Sequence, residues 1–231
     1  MTYINSSTLH SNLELIAINH PDKNLLNPTV MQELIVRIKE ADSTEVTGII
    51  LTGSGDFFCG GLDVAAIQAG GDPIDFARNL IELLQLFPKL RKPIVAAVNG
   101  NAVASGASLA AACDYAVITP EALIGTYEVS VGIWPMIAQV PLIKRIGAKA
   151  AMENVGSGEP FTAARAFEVG LVQKIASKDE LITNAEAWLL KSARGKAAVT
   201  TGRPAFYELA ELPYEQALDR SFEIFVAMFK K

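Results

Sequence analysis

Two histidines and two cysteines in 231 residues are too few for much of the chemistry those side chains perform. His10 and His20 sit in polar surroundings near the N-terminus, without the spacing of metal ligands or of a serine–histidine pairing. Cys59 and Cys113 make neither a disulfide framework nor a metal quartet, and read as reduced, buried thiols. Long apolar runs are also missing. No stretch of about 18 uninterrupted apolar residues occurs, so no membrane span is expected. The nearest, VSVGIWPMIAQVPLI at 129–143, carries Pro135, Gln139 and Pro141 and reads as a buried loop and helix. The N-terminus lacks a basic segment followed by an apolar one, so no secretory leader is expected and the expected location is cytoplasmic. Positive charge is in deficit: 20 Lys and Arg stand against 25 Asp and Glu, with no basic tail. Nucleic acid and anionic membranes are therefore not expected partners. Gly and Pro, at 17 and 11, are too ordinary for a collagen-like or low-complexity chain.

What is present suits a packed core. Half the residues are hydrophobic and 19% are charged, enough for one large domain or one domain with a small appendage. Apolar, strand-like runs at 13–18, 46–52, 93–98 and 114–118 alternate with helical spacing at 29–40 and 74–90. That alternation predicts an α/β fold with largely parallel pairing. After about residue 134 the pattern turns helical, with one short strand candidate at 172–175. The last stretch, 213–230, places Leu218, Phe222, Phe225 and Phe229 on one face, which predicts burial against the body or a partner. The expected organisation is a core over 1–175 and a helical region over 176–231 that belongs to the same unit and to oligomer contacts.

Two glycine-rich turns stand out. The first, TGSGDFFCGGLD at 52–63, follows a strand. It is not a dinucleotide fingerprint, because the third glycine of GxGxxG would fall on Phe58, and no Gly-Lys-Ser/Thr makes it a phosphate loop. An ordinary turn would explain it. However, Gly60 and Gly61 ahead of Asp63 let a backbone come close to a ligand with its amides facing an anion. The second, KPIVAAVNGNAVASGASLAAACD at 92–114, runs from a strand into very small residues: Ala102, Ala104, Ser105, Gly106, Ala107 and Ser108. A helix starting near Ser105 would offer free N–H groups to a developing negative charge. A tight helix–sheet contact would also call for small residues. No GxSxG surrounds Ser54 or Ser105, so a hydrolase nucleophile is not indicated.

Taken in order, GIILTGSGDFFCGGLD (48–63), KPIVAAVNGNAVASGASLAAACDY (92–115), IGTYEVSVGIWPMIAQVPLIKRIG (124–147) and FTAARAFEVGLVQKI (161–175) resemble the crotonase family, the enoyl-CoA hydratase/isomerase superfamily. HPDKNLLN at 20–27 resembles the family's N-terminal CoA-contact loop. The resemblance implies a ββα superhelix with a helical C-terminal region, assembled as a trimer or hexamer. It implies an acyl-CoA thioester as substrate and no separate cofactor or metal. By position, the backbone N–H groups of Leu62 and Ser105 would bind the thioester oxygen, with Gly60, Gly61, Asp63 and Gly106 beside it and Lys23 near the CoA nucleotide. Family members continue by a further helix beyond the position of Lys231, which leaves the CoA contacts and the oligomer open.

Hydratases of this family use two glutamates. Here the first position is Ser108 and the second is Glu128. A serine is a poor general base near neutral pH and could at best hold a water. A carboxylate beside Val129, Val131, Ile133 and Trp134 is expected to have a raised pKa. A single base suits proton transfer between two carbons, the logic of Δ3-Δ2-enoyl-CoA isomerases. Isomerase therefore ranks first. Hydratase, acyl-CoA decarboxylase or another lyase, and a non-catalytic acyl-CoA binder are the alternatives. Trp134 would narrow the acyl pocket or simply fill core. An ion pair of Glu128 with Lys144, Arg145 or Lys149 is the plain structural alternative for that residue. Glu121 reads as an ordinary surface carboxylate.

Overall fold

The computed structural model describes residues 2–230; Met1 and Lys231, the outer ends of the two expected regions, lie outside it. The apolar runs form a six-stranded sheet. Its strands are β1 (Ile4–Thr8), β2 (Glu14–Ile18), β3 (Ile49–Gly53), β5 (Ile94–Val98), β7 (Tyr115–Ile118) and β10 (Lys174–Ile175), in spatial order β1-β2-β3-β5-β7-β10. Only β1–β2 is antiparallel; the pairs from β2 to β10 are parallel. Every residue of β3 and β5 is buried, the mark of a parallel sheet covered on both faces. One face packs on α1 (Pro28–Ser43), whose Val30, Leu34, Ile35 and Ile38 are buried, and on α3 (Pro73–Leu86), through Leu80 and Leu83. The other face is closed by Leu181, Ala185 and Leu189 of α7 (Leu181–Ala193), against Leu13, Ile50, Val95 and Val117.

A second, four-stranded sheet carries the site. Its strands are β4 (Phe57–Cys59), β6 (Asn101–Val103), β8 (Leu123–Gly125) and β9 (Phe161–Thr162). β4, β6 and β8 are parallel, with Cys59 opposite Ala102 and Val103 opposite Gly125. The chain therefore makes strand pairs, one strand to each sheet, with a helix returning between them. That is the ββα superhelix the resemblance implies.

Three expectations need correction. The strand at 46–52 begins later, at Ile49, because Val46 and Thr47 lie in the irregular connection after α1, where the Thr47 N–H donates to the Asn12 carbonyl rather than to a strand partner. The segment after Glu128 is not a buried loop: Val131, Ile133, Trp134 and Met136 are exposed, held off the body by a 3₁₀ turn, Glu128–Val131, and the left-handed Gly132. Of the two covers expected for the C-terminal stripe on α9 (Tyr214–Phe229), the body is not the one found among the described residues, which leaves the partner untested. Leu218, Phe222, Phe225 and Phe229 are all more than half exposed, and the main contact of α9 is with α8 (Lys196–Ala210).

Candidate active site

Three adjacent parallel strands deliver three groups to one place. β6 is central, and just beyond its end α4 (Ser105–Ala112) begins at Ser105. β4, on one side, runs into the Gly60–Gly61–Leu62 turn. β8, on the other side, leads through Thr126 and Tyr127 to Glu128. Side-by-side register is what brings residues so far apart in sequence together.

The glycine turn is tightly bound. Gly61 has φ +96°, and a Cβ there would lie 2.7 Å from the Ala104 Cβ and 3.5 Å from the Ser105 nitrogen. Only glycine lets the two turns approach so closely. The Leu26 and Asp63 N–H groups donate to the Gly61 and Leu26 carbonyls at 2.8 and 2.9 Å, a parallel bridge between Leu26 and Leu62. In such a bridge the Leu62 N–H points to the opposite side. Ser105, at the start of α4, has its N–H free of the helix ladder. Among the described residues, neither N–H has an acceptor in the chain. The preceding Ala104 holds φ +52°, ψ −125°, an unusual conformation for a residue with a side chain, and its N–H donates to the Gly125 carbonyl at 2.9 Å. Two unpaired donors, beside the positive end of a helix, suit a negative oxygen.

The remaining positions are equally defined. Gly106 lies against the Cys59 carbonyl, with no room for a side chain. Asp63 caps the short helix α2 (Val64–Gln68), its Oδ1 accepting from the Ala66 N–H at 2.9 Å. The Lys23 carbonyl accepts the Gly60 N–H at 2.9 Å, which fastens the 20–27 loop to the glycine turn, while the Lys23 ammonium lies exposed, 5.8 Å from the Phe57 ring centroid. Burial pushes the Cys59 thiol up to about 12 and raises Cys113 too, so both stay protonated. Ser108 is fully buried, and its hydroxyl donates to the Ala138 carbonyl at 2.8 Å.

Glu128 is half-buried, and that burial raises its pKa above the ordinary carboxylate value, opposed by hydrogen bonds from its own and the Tyr127 N–H groups. The Tyr127 N–H reaches Glu128 Oε2 at 2.9 Å. Among the described residues, Glu128 forms no ion pair. Lys144 is taken by Glu211, and Arg145 donates to the Ala111 and Cys113 carbonyls at the far end of α4. Trp134 donates from Nε1 to Gln139 Oε1 at 3.0 Å and is 42% exposed, so it fills no core. A groove of about 660 Å³, lined by Ile81, Leu84, Met136, Val140 and Phe206, opens beyond Met136 between α3, α8 and α5 (Gln139–Ser157).

Comparison with known proteins decides the family. The enoyl-CoA hydratase/isomerase family profile matches residues 8–231. The chain belongs to that family. A Thermus thermophilus protein bearing the enoyl-CoA hydratase name is 34% identical over 182 residues, 75% of this chain and 71% of its own. The ethylmalonyl-CoA decarboxylase of Gallus gallus is 29% identical over 242 residues, covering 96% of this chain and 78% of that one. Among solved structures, a Mycobacterium smegmatis enoyl-CoA hydratase superposes with a TM-score of 0.93 at 25% identity, over 100% of this chain and 92% of that one. The family is one of acyl-CoA enzymes.

Two features of the site escaped the sequence. The positive φ of Ala104 has no signature, since alanine ordinarily avoids it. Asn154, in the last turn of α5, reads as a polar position on a helix face, yet it is fully buried.

Proposed function

We propose that this protein moves a double bond in an enoyl-CoA thioester, as a Δ3-Δ2-enoyl-CoA isomerase. The thioester oxygen accepts from the Leu62 and Ser105 N–H groups. The Glu128 carboxylate takes a proton from C2, the dienolate that forms is held by those two donors, and Glu128 returns the proton to C4. Loss of one such donor costs about 3 kcal/mol of barrier, a factor of roughly a hundred or more in rate. The reading asks for no cofactor beyond the CoA carried by the substrate.

The observation that carries it is Ser108. Its hydroxyl proton is committed to the Ala138 carbonyl and the side chain is fully buried, so it is badly placed to activate water. Glu128 remains as the site's carboxylate, and its raised pKa suits a group that must both take and give a proton near neutrality. Hydration is the second reading, favoured by the names of the relatives. Decarboxylation is a third, through the name of the Gallus gallus relative. The uncovered stripe on α9 supports assembly into a trimer or hexamer.

The test follows 3-enoyl-CoA and 2-enoyl-CoA substrates of several chain lengths with wild type and Glu128→Gln. Wild type is expected to interconvert the two without adding water, and the variant to lose about 10²–10⁴ in kcat, the usual weight of a positioned base. Efficient hydration of 2-enoyl-CoA would move the reading to hydratase. Binding of CoA thioesters with no turnover would leave a binding protein.

A further inference from the structure

Glu128 sits on a segment whose neighbours in sequence do little to hold it. The 3₁₀ turn is short, and residues 131–136 are largely exposed. What fixes the approach to Glu128 is a side chain from α5. Asn154 Oδ1 accepts from the Thr126 N–H at 2.8 Å and from the Thr126 hydroxyl at 3.1 Å. Its Nδ2 donates to the Thr126 and Glu159 carbonyls, both at 2.8 Å. One amide therefore satisfies both backbone groups of Thr126, as a neighbouring strand would, two residues ahead of Glu128. Every hydrogen-bonding site of that amide is used, inside a fully buried pocket. Gly125 makes room for it: its φ is +149°, and a Cβ there would lie 2.7–2.8 Å from the Asn154 amide atoms. The far end of α5 closes the same region, where a Cβ on Gly158 would come 2.7 Å from the Ser130 nitrogen. Ahead of α5, on the other side of the break at Gly147, the Ala138 carbonyl accepts from Ser108 of α4.

We propose that Asn154 is a positioning residue: its amide substitutes for a missing strand partner at Thr126 and so fixes Glu128 relative to the Ser105 N–H. This rests on Glu128 being the proton-transfer group. α5 is broken at Gly147 (φ +77°, ψ +157°), so the Ser108 bond to Ala138 and the Asn154 bonds belong to different helical segments, and it is the second segment, through Asn154, that holds Thr126. Loss of the amide lets the base drift while the glycine turn and the 20–27 loop, on the opposite side of β6, keep their places.

The test compares wild type, Asn154→Ser and Asn154→Asp in steady-state isomerisation of 3-enoyl-CoA, well below the melting temperature of each. Asn154→Asp keeps the size but loses both donors. The expected result is a fall in kcat of about 30- to 100-fold, the scale of a misplacement near 1 Å, with KM within about threefold because binding contacts stay put. In the Glu128→Gln background the same substitutions should slow the residual rate no further, because there is no base left to position. Unchanged kcat in folded variants, or full additivity with Glu128→Gln, overturns the proposal. Should the Asn154 variants fail to fold, Thr126→Val removes the 3.1 Å bond alone; a fall in kcat with KM held, restored by Thr126→Ser, supports the role, and unchanged kcat overturns it. A wild type without isomerase activity would instead sink the reading on which this rests.

Discussion

Glu128 carries a penalty for being charged where it sits, and the penalty has a sign that can be measured. Burial raises its pKa in the folded chain above the value it has when unfolded. Below the unfolded pKa the carboxyl is neutral in both states and the site costs nothing. As pH rises through the window up to the folded pKa, the unfolded chain loses its proton first and stability falls. Glu128→Gln removes that penalty. At neutral pH it should melt above wild type while losing activity, and the gap between the two curves should close below about pH 4. A variant no more stable at pH 7 would mean that Glu128 is solvated. On the proposed reaction, in which Glu128 must be ionised to take a proton, the same shift puts the acidic limb of the kcat profile above that of an ordinary carboxylate.

Among the elements, the glycine turn and the start of α4 form a pair that substitution can pull apart. Gly61→Ala adds a Cβ that collides with the Ala104 Cβ at a φ that alanine resists. About 2 kcal/mol of stability is expected to go, a fall in Tm of about 4–8 °C. On the proposed reaction, displacing the turn takes the Leu62 N–H from the thioester oxygen, and kcat should fall about a hundredfold. Adding Ala104→Gly removes the colliding methyl and should return part of both losses; no recovery would assign the damage to the backbone angle alone. Elements also explain what the sequence could tell. β3, β5 and β7 are buried on both faces and read as apolar runs, and α1 and α3 show a clear helical period. The second sheet left no trace, because β4, β6, β8 and β9 are two or three residues long, shorter than any repeat can register. The close approach of the glycine turn to the start of α4 was legible anyway, since glycines and small residues mark it whatever element carries them. Asn154 was not, because its work depends on a backbone 28 residues away.

Across the whole molecule, the C-terminal helices are fastened at one buried point. Arg203 on α8 donates from Nε and Nη2 to Asp114 at 2.8 Å and from Nη1 to the Leu90 carbonyl. Tyr207 donates to the same carboxylate, and burial with that nearby charge pushes its own pKa up to about 12. Arg203→Met strands a buried carboxylate and should cost about 3–5 kcal/mol, seen as a Tm lower by about 10 °C. A loss within 2 °C would mean that α8 is held by its apolar contacts instead. Beyond that point α9 has nothing to bury its phenylalanines against. Replacing Phe222 and Phe225 with Asp should shift the protein to a smaller species in size-exclusion chromatography with light scattering, and an unchanged mass would place the subunit contacts elsewhere. The short strands of the second sheet have a last consequence. Leu62, Ser105 and Glu128 stand at the ends of three strands of three residues each, and a strand that short has no strength until its neighbours are in register. Phe58, Ala102, Ile124 and Phe161 of that sheet belong to the same buried core as the large sheet, so a change that loosens that core displaces all three groups together.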